Sequence, residues 1–206
     1  MPKIRPNHER GVIERTVLLT SGWNMGFRAL GFRKHDFSSE KRFLDVGAGH
    51  AGTTLNWGPR VYGADPILGK RAYSPHPTPM ARKRSVRAKA ESLPFRDQQF
   101  HHVYSTNSVG YYNRFIPFGQ STLEMLRVVA REGDVRLLVR KGDPEIERIL
   151  KKATPLFERA GISVSLESSR NIRNRNLLRL VKTNRADLSR LRTLFGRNGL
   201  LRSVSI

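Results

Sequence analysis

A carboxylate two residues ahead of a glycine, followed directly by more small residues, is the arrangement in this chain best suited to chemistry. Asp45, Gly47, Ala48 and Gly49 close a short apolar run through Phe43, Leu44 and Val46. An apolar run that breaks into glycine reads as a buried strand ending in a turn, where backbone can approach a bound molecule with no side chain intervening. A second carboxylate, Asp65, ends the run from Val61 to Ala64, just ahead of Pro66.

Two ligands compete for this pair. Residues 47–52 spell GxGxxG, the pattern that receives a dinucleotide pyrophosphate, with Asp65 spaced to meet a ribose hydroxyl. That reading sets the charge of Asp45 against an anionic pyrophosphate. S-adenosylmethionine has no phosphate, and its methionine end carries an ammonium and a sulfonium that a carboxylate attracts. In either case Asp65 can accept from both the 2′ and 3′ hydroxyls. The plain alternative is an Asp that starts a turn before proline.

The chain around these residues has 206 residues, enough for one domain with a full core. A hydrophobic content of 38% and mean hydropathy of −0.49 describe a soluble globular chain, and no apolar run approaches the roughly 20 residues of a membrane span. The first residues lack an apolar signal core and there is no cysteine, so a cytoplasmic location without disulfides or thiolate metal sites is expected. Six scattered histidines supply no metal-ligand spacing, so no metal is expected.

The net charge of +21 is the most unusual bulk property and surrounds the molecule with a positive field. Between Pro66 and Ala90 stand Lys70, Arg71, Arg82, Lys83, Arg84, Arg87 and Lys89 without one acid. This stretch from Lys70 to Lys89, with the basic tail from Arg185, is the expected surface for RNA or another polyanion.

Elements that must position the carboxylates follow from periodicity. Ile13, Thr16, Val17 and Thr20 have helical spacing ahead of a glycine-punctuated, lid-like segment containing Trp23 and Phe27. Val86 begins a third strand, and 99–107 reads as a fourth that ends in the small polar residues Thr106 and Asn107. Ser121 and Glu124 have capping-box spacing for a helix ending at Gly133, before a fifth strand over Val135–Val139. Asp143 and Pro144 start a helix that restarts at Pro155. Strands at Ile162–Leu166 and Asn176–Thr183 suit a final antiparallel pairing, and Leu188, Leu191, Leu194 and Phe195 form one face of a tail helix. The expected organisation is an N-terminal helix and lid-like segment over 1–41, a core domain over 42–183 and a basic tail over 184–206.

From Arg42 to Gly142, the ordered series of strand, glycine turn, strand with terminal acid, Leu93-Pro94-Phe95 turn and polar-ended strand resembles the class I S-adenosylmethionine-dependent methyltransferases, in particular the type-11 methyltransferase-domain group. The resemblance implies an α/β, Rossmann-like, mostly parallel sheet of about seven strands with helices on both faces and the last strand antiparallel. It places Asp45, Gly47, Ala48 and Gly49 against the methionine part of S-adenosylmethionine and Asp65 with Pro66 at the ribose. Ala90 and Glu91 would border the adenine, and Asn107 would close the pocket. The chain departs from the pattern at Lys89, where relatives carry an acid, at His101, where an Asp is usual, and at Ala51, which replaces a glycine. His101, His102, Tyr111, Tyr112 and Glu91 are candidates for a proton acceptor, none singled out by spacing, and the catalytic residues and methyl acceptor stay unassigned. RNA or nucleoprotein is favoured as acceptor by charge alone, against a small molecule. The rival functions are a methyltransferase fold retained as an inactive RNA- or ribosome-binding module and, behind it, a nicotinamide oxidoreductase.

Overall fold

The computed structural model describes residues 28–38, 40–48, 60–66, 83–106, 108–110, 117–169 and 172–201. Seven strands form one sheet: β1 (Phe43–Val46), β2 (Val61–Ala64), β3 (Ser85–Val86), β4 (Phe100–Ser105), β5 (Val129–Arg140), β6 (Ile162–Ser168) and β7 (Arg175–Lys182). Their order across the sheet is β3-β2-β1-β4-β5-β7-β6. β1 to β5 pair in parallel, and β7 runs antiparallel between β5 and β6. The chain order reverses beside β1, and in open α/β sheets such a switch point is where the strand C-termini leave a crevice.

Among the described residues three α-helices follow the strands: α1 (Phe118–Val128), α2 (Pro144–Arg159) and α3 (Leu188–Arg197). They pack on one face, where Leu44, Val46, Val103, Val135, Leu137, Leu178 and Leu180 meet Met125, Leu126, Leu150, Phe157, Leu191 and Phe195. Phe157 and Phe195 cross edge to face at 5.2 Å, which docks the tail helix on α2. Asp143 caps α2 as its residue type predicts, accepting from the amides of Glu145 and Ile146. Pro155 lies inside α2, so the helix runs through the position where a restart was expected. Of the helices expected on both faces, the three described ones lie on this one. The opposite face is covered by residues 29–37, with Leu30, Phe32 and Phe37 packed over Phe43, Val61, Tyr104 and Leu138.

Two boundaries differ from the periodicity. α1 starts at Phe118, three residues before the expected cap, and Ser121 lies fully buried inside its second turn. Glu124 does not reach back to a cap; it accepts from the amide of Leu93 and from Arg127. Gly133 does not end the helix, which gives way to β5 at Val129. It sits in an irregular stretch where β4 advances from Phe100 to His102 while β5 advances from Val129 to Asp134. A Cβ there would come within 2.6 Å of the His101 carbonyl, so close approach of two backbones explains the glycine. The expected helix over residues 11–20, together with Trp23 and Phe27, lies outside the described residues.

Candidate functional site

The turn after β1 is constrained from two sides. Gly47 adopts φ of +82°, a region that favours glycine, and a Cβ at this position would collide with the Ser108 side chain. The amides of Gly47 and Ala48 donate to the Ala64 carbonyl at 2.8 and 3.3 Å, which ties the bend to the end of β2. Ser108 closes the other side: its hydroxyl donates to the Val46 carbonyl at 3.2 Å and accepts from the Val109 amide at 2.7 Å.

Both carboxylates are buried, Asp45 to 3% and Asp65 to 7% exposure. Asp45 lies between Gly63 of β2 and Tyr104 of β4 in the sheet register. Burial, then the negative charge of Asp45, pushes the Tyr104 phenol well above its ordinary range, so it stays protonated at neutral pH. Asp65 follows β2 directly; its amide donates to Val86 and its carbonyl accepts from Ala88, which joins the ends of β2 and β3. Beyond β3, Ala90 is buried, Glu91 is half-buried, and Lys89 and Pro66 are exposed. Asp45, Gly47, Ala48, Asp65, Pro66, Ala90 and Glu91 therefore all stand at or just beyond the C-terminal ends of three neighbouring parallel strands. Gly49 and Asn107 lie outside the described residues, as do Ala51, Tyr111 and Tyr112.

The segment after Glu91 is clamped from α1. Arg127 donates to the carbonyls of Leu93 and Phe95 at 2.8 Å each and to the carboxylates of Asp97 and Glu124. Its hydrogen bond to Glu124 holds the guanidinium in its charged form against burial, with Asp97 adding to the effect. This pairing gives the Leu93-Pro94-Phe95 turn one fixed path into β4.

Residues 44–137 match the family model of a methyltransferase domain. This stretch of the chain is similar to a methyltransferase domain. The class uses S-adenosylmethionine, and the observed strand order and antiparallel β7 agree with it. Among similar solved structures is an S-adenosyl-L-methionine-dependent methyltransferase described as putative, from Methanococcus maripaludis, with 14% identity over 89% of this chain and 98% of that one at a TM-score of 0.55. Another is the 1,6-didemethyltoxoflavin-N1-methyltransferase of Burkholderia thailandensis with bound 1,6-didemethyltoxoflavin and S-adenosylhomocysteine, at 16% identity, 89% and 93% coverage and a TM-score of 0.53. A third comes from the complex of the Haloferax volcanii Trm112 methyltransferase activator with a methyltransferase likewise described as putative, at 15% identity, 87% and 95% coverage and a TM-score of 0.55. These likenesses concern the fold. No curated protein matches the chain in sequence.

The two adjacent histidines stand away from the glycine turn. His102 is in register with Phe43, the first residue of β1, three residues or about 10 Å of strand from Val46. His101 accepts the Arg42 amide on Nδ1 at 3.0 Å, and burial, then the charges of Arg42, His102 and Lys41, lowers its pKa. His102 instead contacts Asp134, whose carboxylate is 2% exposed and lies 2.6 Å from its Nδ1. Asp134 also accepts from Arg136 at 2.9 Å and Arg179 at 2.7 Å. Burial alone would raise the Asp134 pKa; the hydrogen bond from His102 and the charges of Arg136, His102 and Arg179 bring it down to about 2.

Sequence reasoning missed this network, although Asp134 and Arg136 alternate with apolar residues in β5, the pattern of polar groups sharing one sheet face. It also missed Lys182. Its buried ammonium donates to the carbonyls of Leu126 and Val129 at the end of α1, and burial lowers its pKa. Among the described residues no helix is long and apolar enough to cross a membrane, and no cluster of His, Asp and Glu could hold a metal.

Proposed function

We propose that Asp45, Gly47, Ala48, Gly49, Asp65, Pro66, Ala90, Glu91 and Asn107 hold S-adenosylmethionine, and that this methyltransferase acts on RNA or a nucleoprotein in the cytoplasm. One observation carries the cofactor site. Two buried carboxylates stand at the ends of adjacent parallel strands, on either side of a bend where the backbone tolerates no side chain. When bound, S-adenosylmethionine supplies an electrophilic methyl group on a sulfonium. Asp45 offers the negative charge that attracts the cationic methionine end, and Gly47 with Ala48 lets backbone lie against it. Asp65 accepts from the ribose hydroxyls, and Ala90 and Glu91 border the base. The main contribution to rate is orientation of donor and acceptor, since displacement at a sulfonium needs no dedicated base when the acceptor has a free lone pair. The RNA acceptor is supported by the charge of +21.

Calorimetry with S-adenosylhomocysteine tests the site. Asp65→Ala is expected to weaken binding by about 1–3 kcal/mol through loss of charge-assisted hydrogen bonds. An unchanged Kd removes Asp65 from the site, and binding of NAD in place of S-adenosylhomocysteine removes the cofactor assignment.

A further inference from the structure

α2 and α3 form a cationic layer on the sheet, with a groove at the end nearest the glycine turn. α3 begins beside the far end of α2, where the Asp187 amide donates to the Ala160 carbonyl at 2.9 Å. It ends beside the first turns of α2, where Asn198, Gly199 and Leu200 line a groove of about 200 Å³ together with Arg148, Ile149 and Lys152. Phe118 and Gly119 of α1 form its floor. A Cβ at Gly119 would collide with the Leu200 carbonyl, so this wall is closed backbone against backbone.

Charge on this layer is biased toward cations. Arg148, Lys152 and Arg159 are spaced i, i+4 and i+11, which puts them on one stripe of α2, and the groove lining shows that this stripe faces α3. Glu147 and Glu158, also eleven apart, share a different stripe with Lys151, and Glu145 is the one acid on the Arg148 stripe. α3 contributes Arg190, Arg192 and Arg197, all exposed, and contains no acid. The nearby Asp187 is engaged in capping α3 through the Arg190 amide. Glu145 is the single carboxylate lining the groove.

The groove also connects to the proposed cofactor end. Its floor residue Phe118 lies 3.8 Å from where a Cβ of Gly110 would stand, and Gly110 is two residues past Ser108, the residue packed against Gly47. A chain laid along α2 and α3 and entering this groove arrives one layer of side chains from the glycine turn.

We infer that the α2–α3 face is the track for the phosphodiester backbone of a single-stranded RNA acceptor, with Arg148 and Lys152 gripping the phosphates that enter the groove. Three cations against one carboxylate on this stripe of α2, beside the three exposed arginines of α3, suit an evenly charged polyanion better than a single carboxylate ligand. The inference rests on the RNA reading of the acceptor given above.

The test compares Arg148→Glu/Lys152→Glu with Arg28→Glu/Arg33→Glu, which makes the same change in net charge at exposed positions beside the opposite face. A short mixed-sequence single-stranded RNA, labelled for fluorescence anisotropy, is titrated across a salt series, and S-adenosylhomocysteine binding is measured by calorimetry on the same samples. The groove variant is expected to lose about tenfold or more in RNA affinity at low salt, and its salt slope to shrink by about 1.4, as two lost phosphate contacts require. The control variant and all cofactor affinities stay near wild type. Equal losses in the two variants would mean that only net charge matters and would overturn the track. So would competition by polyglutamate as effective as by RNA, which would point to an acidic protein. Absence of RNA binding by the wild-type chain with cofactor binding intact would overturn the track and the RNA acceptor while leaving the methyltransferase; loss of both would overturn the cofactor site as well.

Discussion

Two rows of cross-strand neighbours lie side by side on the face of the sheet covered by residues 29–37, and they use the same residue types differently. The first row is Phe43, His102, Asp134 and Val181; the second, two residues further along the strands, is Asp45, Tyr104, Arg136 and Arg179. Asp134 in the first row is closed by protein. It takes His102 on one oxygen and Arg136 and Arg179 on the other, while Phe43 stacks on His102 at 4.9 Å. Arg136 extends the network to the covering segment by donating to the Leu30 carbonyl at 2.8 Å and placing its guanidinium 4.0 Å over the Phe32 ring. Asp45 in the second row stands at the strand end, beside the glycine turn. The buried carboxylate in the middle of the sheet is held by its neighbours, and the one at the C-terminal end of a parallel strand lies in the proposed cofactor site.

The contrast can be broken most forcefully at Asp134. Replacing it by Ala leaves Arg136 and Arg179 without their shared anion, and about 3–5 kcal/mol of unfolding free energy should be lost in urea denaturation. S-adenosylhomocysteine affinity of the folded fraction should stay within about twofold, because the first row does not reach the turn. A large loss of affinity at unchanged stability would erase the distinction between the rows.

Acid titration sharpens the same point with a smaller effect. The Asp134 pKa falls from 3.8 to about 2 on folding. Above about pH 3.8 the network therefore contributes its full share, about 2 kcal/mol, and it is lost as pH falls toward about 2. The pH dependence of stability across this window should be steeper in the wild type than in Asp134→Asn, and equal slopes would show that folding does not lower the Asp134 pKa.

At the strand ends the expected effects are local. Gly47→Ala forces a Cβ into Ser108 at positive φ and should cost about 1–3 kcal/mol, with cofactor binding reduced further. Adding Ser108→Gly removes the collision but not the backbone strain, so thermal unfolding of the double variant should recover part of the loss. No recovery would mean that the bend is not shaped by Ser108.

What could be read beforehand depends on how local the cause is. Gly47 was legible because a glycine after an apolar run is a local signal, and Asp143 because a cap acts on the next two amides. The mostly parallel sheet of about seven strands with an antiparallel last strand was implied by the family resemblance, while the strand order is set by pairings between distant segments. Ser121 misled because its capping box matched in spacing, while packing of Phe118 and Gly119 begins the helix a turn earlier. Gly133 misled for a related reason: a C-cap and a backbone contact demand the same residue, and only the fold brings the His101 carbonyl to it. Asp134 and Lys182 were illegible as a pair of buried charges because their partners are up to 56 residues away in the chain. The candidate site was readable as residues, Asp45 and Asp65 with the turn between, but their neighbourhood comes from β1 and β2 lying side by side.

A crystal structure of the full chain grown with S-adenosylhomocysteine tests the central claim most directly. The account predicts the ligand across the ends of β1 and β2, with its amino-acid end at Gly47 and the Asp65 carboxylate within hydrogen-bond distance of the ribose hydroxyls. Density for the ligand elsewhere, or an Asp65 carboxylate turned away from a ribose bound there, would contradict it.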